Sequence, residues 1–135
     1  MVAQKALILY NKKALLLRRS DARRETHGGK WELAGGCLEF GENLEYGFNR
    51  EILEETGLVV EKDRLLHASS LAPQYPGQEM QFVFLYYLCH ANTDKDKISD
   101  EHSEFLWATR EQALRLGVEL VPKCVVDAVS MDILE

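Results

Sequence analysis

Between Leu44 and Thr56 the apolar residues Leu44, Phe48 and Ile52 recur at helical spacing, and Gly57 stands where a helix would stop. This amphipathic stretch lies among short apolar runs of strand character, so the chain must combine a sheet with helices. AQKALILY and ALLLRR, separated by NKK with Asn11 suited to a tight turn, read as a hairpin. WELA reads as a short strand entering Gly35-Gly36, and SDARRETHGGK before it as a loop. Further on, LLHASSL reads as a strand, APQYPGQE as a loop, MQFVFLYYLCHA as a long buried strand, NTDKDKISDEHSE as a charged loop and FLWA as a returning strand. Thr109 and Gln112 have capping-box spacing for a helix through Leu116, and Pro122 can open a last helix with Val125, Val126, Val129 and Ile133 inward. The expected fold is α+β, a mixed sheet with helices on both faces.

At 135 residues, 46% of them hydrophobic, the chain is the size of one well-buried domain, and residues 1–135 are read as one. Lysine and arginine total 16 against 22 acidic residues, a formal charge of -6 with no long block of either sign. That argues against binding a nucleic-acid polymer, while leaving room for small anions held by a few local cations. Cys37, Cys89 and Cys124 are odd in number and widely spaced, which suits a reducing compartment and neither a disulfide frame nor a zinc site. The two N-terminal apolar runs are too short to span a membrane, and a cytoplasmic protein is the simplest expectation. Asp94 and Asp96 fall short of a calcium loop, lacking its third acidic position and its glycine.

The helix carries an unusual burden. Glu51, Glu54 and Glu55 fall within an arc of roughly 100° near its C-terminal end, where the helix dipole already disfavours negative charge. Mutual repulsion at these spacings adds a few tenths of a kcal/mol per pair. A divalent cation would reverse both terms. Gly47 lies on the same arc at a cost of about 1 kcal/mol relative to alanine, and bare backbone there would leave room for a metal and phosphate oxygens. Arg50 could hold a carboxylate in place by a charge-assisted hydrogen bond. Glutamates are common on solvated helix faces, so the helix alone does not decide between a surface and a site.

Its context does. GCLEFGENLEYGFNREILEETGL, residues 36–58, resembles the signature of the Nudix hydrolases, with Gly36, Glu42, Arg50, Glu51, Ile52, Glu54, Glu55, Gly57 and Leu58 filling every fixed position. GKWELAGG and EHSEFLWATREQA resemble the flanking segments. Ala34, where proline is common, and Gly47, where alanine is frequent, depart from the pattern without removing a ligand.

The resemblance implies a Nudix fold, an α/β/α sandwich, and Mg²⁺-dependent cleavage of a diphosphate linkage in a nucleoside diphosphate joined to another group. Mn²⁺ could replace Mg²⁺ at an all-oxygen site. Carried over residue by residue, it makes Glu54 and Glu55 metal ligands, Glu51 a ligand or base, the Gly35 carbonyl a further ligand, Arg50 the group that orients Glu51, and Glu42 a brace of loop to helix or a group that reaches metal through water. The general base often comes from a separate loop, where Glu101 and Glu104 are the candidates; His102 between them is given no role.

Substrate choice is less constrained. Arg19 and Arg24, with Arg18, Arg23 and Lys30, could meet phosphates, and Tyr75 and Phe84 could stack on a base, although the alternation in QFVFLYYL must send some aromatics to the core. Pro73 resembles a feature of ADP-ribose pyrophosphatases, Tyr75 one of diadenosine polyphosphate hydrolases. Size and layout resemble the MutT-type nucleoside triphosphate pyrophosphohydrolases. The expectation is therefore a nucleoside triphosphate or related derivative, with ADP-ribose or a nucleotide sugar as runner-up. A non-catalytic nucleotide-sensing module is the rival of another class, and the intact glutamates argue against it. The resemblance leaves a homodimer open.

Overall fold

The computed structural model describes the backbone of residues 1–20, 29–72, 74, 75 and 77–116, and the side chains of all of these except 74, 75 and 78. β1 (Val2–Tyr10) and β2 (Lys13–Arg19) form the expected hairpin. Its turn residues Asn11 and Lys12 have φ of 52° and 62°, the left-handed pair whose twist matches the flanking strands. β3 (Trp31–Glu32) and β4 (Ala34–Cys37) carry the chain through the double glycine to α1 (Leu44–Thr56). β5 (Glu61–Leu71), β6 (Gln74–Tyr75), β7 (Gln78–Glu79), β8 (Phe82–His90) and β9 (His102–Ala108) follow, and α2 (Arg110–Arg115) is the last described element.

The main sheet runs β3-β2-β1-β8-β5, with β4 also paired to β1 and β9 to β2. It is mixed, because β1 and β8 are parallel while the other pairs are antiparallel. Strand periodicity sorts its two faces. Leu7, Leu9, Ala14 and Leu16 join Tyr86, Leu88 and Ala113 of α2 in one cluster, whereas Ala6, Ile8, Leu15 and Leu17 join Phe48 and Ile52 of α1 in the other. One helix on each face gives the expected α/β/α sandwich. Phe48 and Ile52 are each 1% exposed, so each contributes roughly 1.5–3 kcal/mol towards anchoring α1.

Both helix signals read from the sequence, the Gly57 stop and the Thr109–Gln112 box, are used. Asn43 caps α1 by accepting from the Tyr46 amide at 2.8 Å, and Gly57 ends it at φ 70°. Both halves of the Thr109–Gln112 capping box form, although α2 ends at Arg115. Among the described residues no helix is long and apolar enough to cross a membrane.

Elsewhere the structure differs from the sequence reading. β5 starts at Glu61 because the polar EKDR segment pairs with the end of β8, Glu61 opposite His90; backbone pairing there overrides an unpromising local sequence. APQYPGQE is not simply a loop, since β6 and β7 pair within it. His102, Ser103 and Glu104 belong to β9 and not to the charged loop, with His102 opposite Arg19 and Glu104 opposite Arg18. Residues 21–28, including Arg23 and Arg24, and the final helix expected from Pro122 lie outside the described residues, as do Pro73 and Cys124.

Candidate active site

α1 stands against β4 and presents two carboxylate groupings. The first is built on Arg50. Its Nε and Nη2 donate to Glu42 Oε2 and Oε1 at 2.6 and 2.9 Å, a bidentate pair, while Nη1 donates to Glu51 Oε1 at 3.2 Å and Glu54 Oε2 at 3.1 Å. Glu39 adds a fourth carboxylate at 3.6 Å. Glu42 is itself fixed by the Glu39 amide, which donates to Oε1 at 2.7 Å. Hydrogen bonding from Arg50 holds the Glu42 carboxyl below its usual range, and the same bonds raise the guanidinium pKa. One cation thus faces four carboxylates. Burial raises the Glu51 pKa, Arg50 opposes that rise, and the negative charges of Glu54 and Glu101 reinforce it.

The second grouping is buried. Glu55, 5% exposed, accepts a 2.6 Å hydrogen bond from the Gly35 amide. Burial pushes its carboxyl up to about 7 against the pull of Lys5, the Gly35 amide and His102. Beside it, Glu32 is 2% exposed and meets Arg19 Nη1 at 3.0 Å, Lys5 Nζ at 3.5 Å and His102 Nε2 at 3.3 Å. Burial raises the Glu32 pKa too, but the His102 hydrogen bond and the charges of Lys5 and Arg19 outweigh it and leave it at about 2. Glu32, Glu55 and His102 offer ligand atoms within 4.8 Å of one another. Glu32 already faces two cations and an imidazole, so its own carboxylate is the centre of an ion-pair hub and a poor ligand for a further cation.

The hub gives a prediction for acid stability. A carboxyl whose folded pKa lies below its usual 4.5 contributes stability that is complete above that value and is lost as pH falls towards 2. From the shift, Glu32 accounts for about 3 kcal/mol lost across that window. Denaturant midpoints of the wild type should fall steeply between pH 5 and pH 2.5, and Glu32→Gln protein, weaker at neutral pH, should show a shallower slope, with the remainder carried by groups such as Glu42.

The glycines have steric reasons. Gly35 has φ 130°, and a Cβ there would lie 2.0 Å from the Gln4 carbonyl oxygen. A Cβ on Gly36 would lie 2.7 Å from the Glu51 carboxylate, so bare backbone is what admits that side chain. Gly47 corrects the sequence argument: a Cβ there would come within 2.6 Å of Leu38 Cδ1 and 3.2 Å of Glu42 Oε1. The space left by its missing side chain is filled by protein packing, with Leu38 and the Glu42 brace in place of a metal and its waters.

The remaining candidates separate. Glu104 lies exposed on β9, 3.5 Å from Arg18, whereas the charge of Glu101 reaches Glu51. The Gly35 carbonyl accepts from Lys5 Nζ at 3.1 Å. Arg19 is committed to Glu32, and Arg24 is outside the described residues. Phe84 stacks between Phe82 and Tyr86, with centroids 6.0 and 6.4 Å away, and packs against the core; Tyr75 lies on β6 and its side chain is not described. Trp107 donates to the Asp94 carbonyl and to Asp96 Oδ1, both at 3.1 Å, tying the acidic loop to β9. Sequence reasoning missed Lys5, Glu32 and His102. Glu32, two residues before Ala34 in WELAGG, offers the one signal that could have found them, a carboxylate in an otherwise apolar strand.

The NUDIX domain profile matches residues 2–129. The chain belongs to the Nudix family. A MutT-like protein of Streptomyces ambofaciens is 32% identical over 114 residues, 84% of this chain and 66% of that longer protein. Nucleoside triphosphatase NudI of Escherichia coli O139:H28 is 24% identical over 123 residues, 86% of this chain and 87% of its own. The crystal structure of a MutT protein from Methanosarcina mazei Go1 superposes with a TM-score of 0.74 at 30% identity, covering 94% of this chain and 88% of that one. α1 carries Arg50, Glu51, Glu54 and Glu55 of the stretch that resembles the family signature. The family and these hydrolase relatives make the chain a Nudix hydrolase, an enzyme acting on pyrophosphate bonds.

Proposed function

We infer that this Nudix hydrolase cleaves a nucleoside triphosphate or a related nucleoside diphosphate derivative, with Mg²⁺ held by Glu51, Glu54 and Glu55. The carrying observation is the charge imbalance around Arg50, four carboxylates to one guanidinium. An all-oxygen donor set short of positive charge fits a hard divalent cation, with Mn²⁺ as a substitute. When bound, such a cation supplies neutralisation of the phosphates and a more acidic water.

The protein's own groups do the rest. Arg50 holds the Glu51 and Glu54 carboxylates side by side, and the bidentate Glu42 pair keeps the guanidinium from turning away. The Gly35 amide aims Glu55, and the Gly35 carbonyl, shared with Lys5, is a further oxygen at the same edge. Glu101 is the better candidate for the base that takes the proton from the attacking water, because its charge acts on Glu51 while Glu104 is drawn to Arg18. Water oxygen bonds to one phosphorus as the bridging oxygen departs with the other phosphate.

The likeness to nucleoside triphosphatase NudI supports a triphosphate over ADP-ribose or a nucleotide sugar. The test is product analysis across the canonical nucleoside triphosphates, ADP-ribose, diadenosine polyphosphates and UDP-sugars with Mg²⁺. Nucleoside monophosphate and pyrophosphate from a triphosphate are expected. Turnover confined to ADP-ribose or UDP-sugars would replace the substrate assignment, and nucleotide binding without turnover of any of them would favour the sensing module.

A further inference from the structure

His102 lies where a polar loop meets β9, yet it is 5% exposed and its ring is turned inward onto Glu32 at 3.3 Å. The two residues are 70 positions apart, so the contact ties the strand entering the double glycine to the start of β9. A buried polar ring costs stability unless it is paired, and here Nε2 is paired while the buried Nδ1 has no partner among the described residues, so the Glu32 contact is what holds the ring. The neighbouring backbone is held as well. The His102 amide donates to the Ser99 carbonyl at 3.1 Å, and the Ser20 amide donates to the Glu101 carbonyl at 2.9 Å. Register irregularity between Arg18 and Arg19 sits directly opposite, at the residue paired with His102.

We propose that His102 is a positioning residue: through its buried contact with Glu32 it fixes the β9 junction that carries Glu101. This rests on the reading of Glu101 as the base. Misplacing a reacting group by about 1 Å costs on the order of a hundredfold in rate, so a rotamer anchor one residue away has leverage on turnover and little on substrate affinity.

The test combines turnover with amide exchange in Glu101→Gln, His102→Ala, His102→Gln and the Glu101→Gln/His102→Ala double variant, using the best-cleaved canonical nucleoside triphosphate with Mg²⁺. His102→Ala should lower kcat roughly ten- to a hundredfold with KM unchanged. His102→Gln, whose amide can still donate to Glu32, should recover most of it. In the double variant kcat should be no lower than in Glu101→Gln alone. Without metal or nucleotide, the Ser20 amide should exchange faster in His102→Ala and regain protection in His102→Gln. A Glu101→Gln enzyme with wild-type kcat would overturn the base assignment, and this inference with it. A Glu101→Gln deficit to which His102→Ala adds its full separate loss, or a His102→Ala protein of normal kcat, would overturn the inference alone.

Discussion

Glu55→Gln protein is expected to be more stable than the wild type and to lose its hydrolytic activity. Burial sets the folded pKa of Glu55 at about 7 against an ordinary 4.5. For a raised carboxyl the sign is unfavourable: the penalty is absent below pH 4.5, grows as pH rises, and is complete above pH 7. The shift corresponds to about 3 kcal/mol of destabilisation at pH 8 in metal-free protein. Glutamine keeps an oxygen for the Gly35 amide and removes the charge. Denaturant titration at pH 8 in EDTA should show a higher midpoint for the variant, and the gap should close by pH 4.5. Activity should fall on the order of 10³-fold, the scale on which removing a preorganised charge-stabilising group slows an enzyme. A site that sacrifices stability for function commonly behaves this way.

The second large effect belongs to Gly35. Its φ is 130°, and the nearest atoms to an added methyl carbon would be the Gln4 carbonyl oxygen at 2.0 Å and Lys5 Cα at 2.9 Å. Both obstacles are backbone, so no flexible side chain can move aside to accommodate alanine. Gly35→Ala should cost roughly 3–5 kcal/mol, combining backbone strain with overpacking. The same shift would separate β4 from β1, where Gly35 is opposite Lys5, and pull the Gly35 amide from Glu55. Thermal unfolding of the variant should begin many degrees lower, with Mg²⁺-dependent activity reduced even well below the transition. Gly36→Ala, whose Cβ meets the Glu51 side chain, should be milder in stability and comparable in activity.

How far the sequence can be read depends on whether the interactions are local. Although Leu44 of the stripe is 45% exposed and the Asn43 cap is not among the features read from the sequence, α1 is legible at Phe48, Ile52 and its Gly57 stop because these act through residues within a turn or so along the chain. The Thr109–Gln112 box is legible for the same reason. The hairpin at Asn11 and the double glycine are readable from backbone preference. The signature's glutamates can be placed on one arc, but their division into a fork on Arg50 and a buried partner of Gly35 depends on which side of α1 faces β4. The hub of Lys5, Arg19, Glu32 and His102 is out of reach beyond the one signal at Glu32, since the other three taken alone look like solvated charge and only strand pairing brings β1, β2, β3 and β9 together. Arg19 looks like a phosphate ligand in the sequence for that reason. Gly47 looks like room for a metal because Leu38, which fills the space, sits outside the helix.

The central claim is that carboxylates around Arg50 hold the cation that drives pyrophosphate cleavage, and Glu54 isolates it, being an exposed side chain with no burial to lose. The deciding measurement is nucleoside triphosphate hydrolysis by wild-type and Glu54→Gln proteins over a Mg²⁺ titration. The account predicts activity that appears only with Mg²⁺ in the wild type, and turnover lower by roughly two to three orders of magnitude in the equally stable variant. Equal turnover in the two proteins at every Mg²⁺ concentration would contradict it.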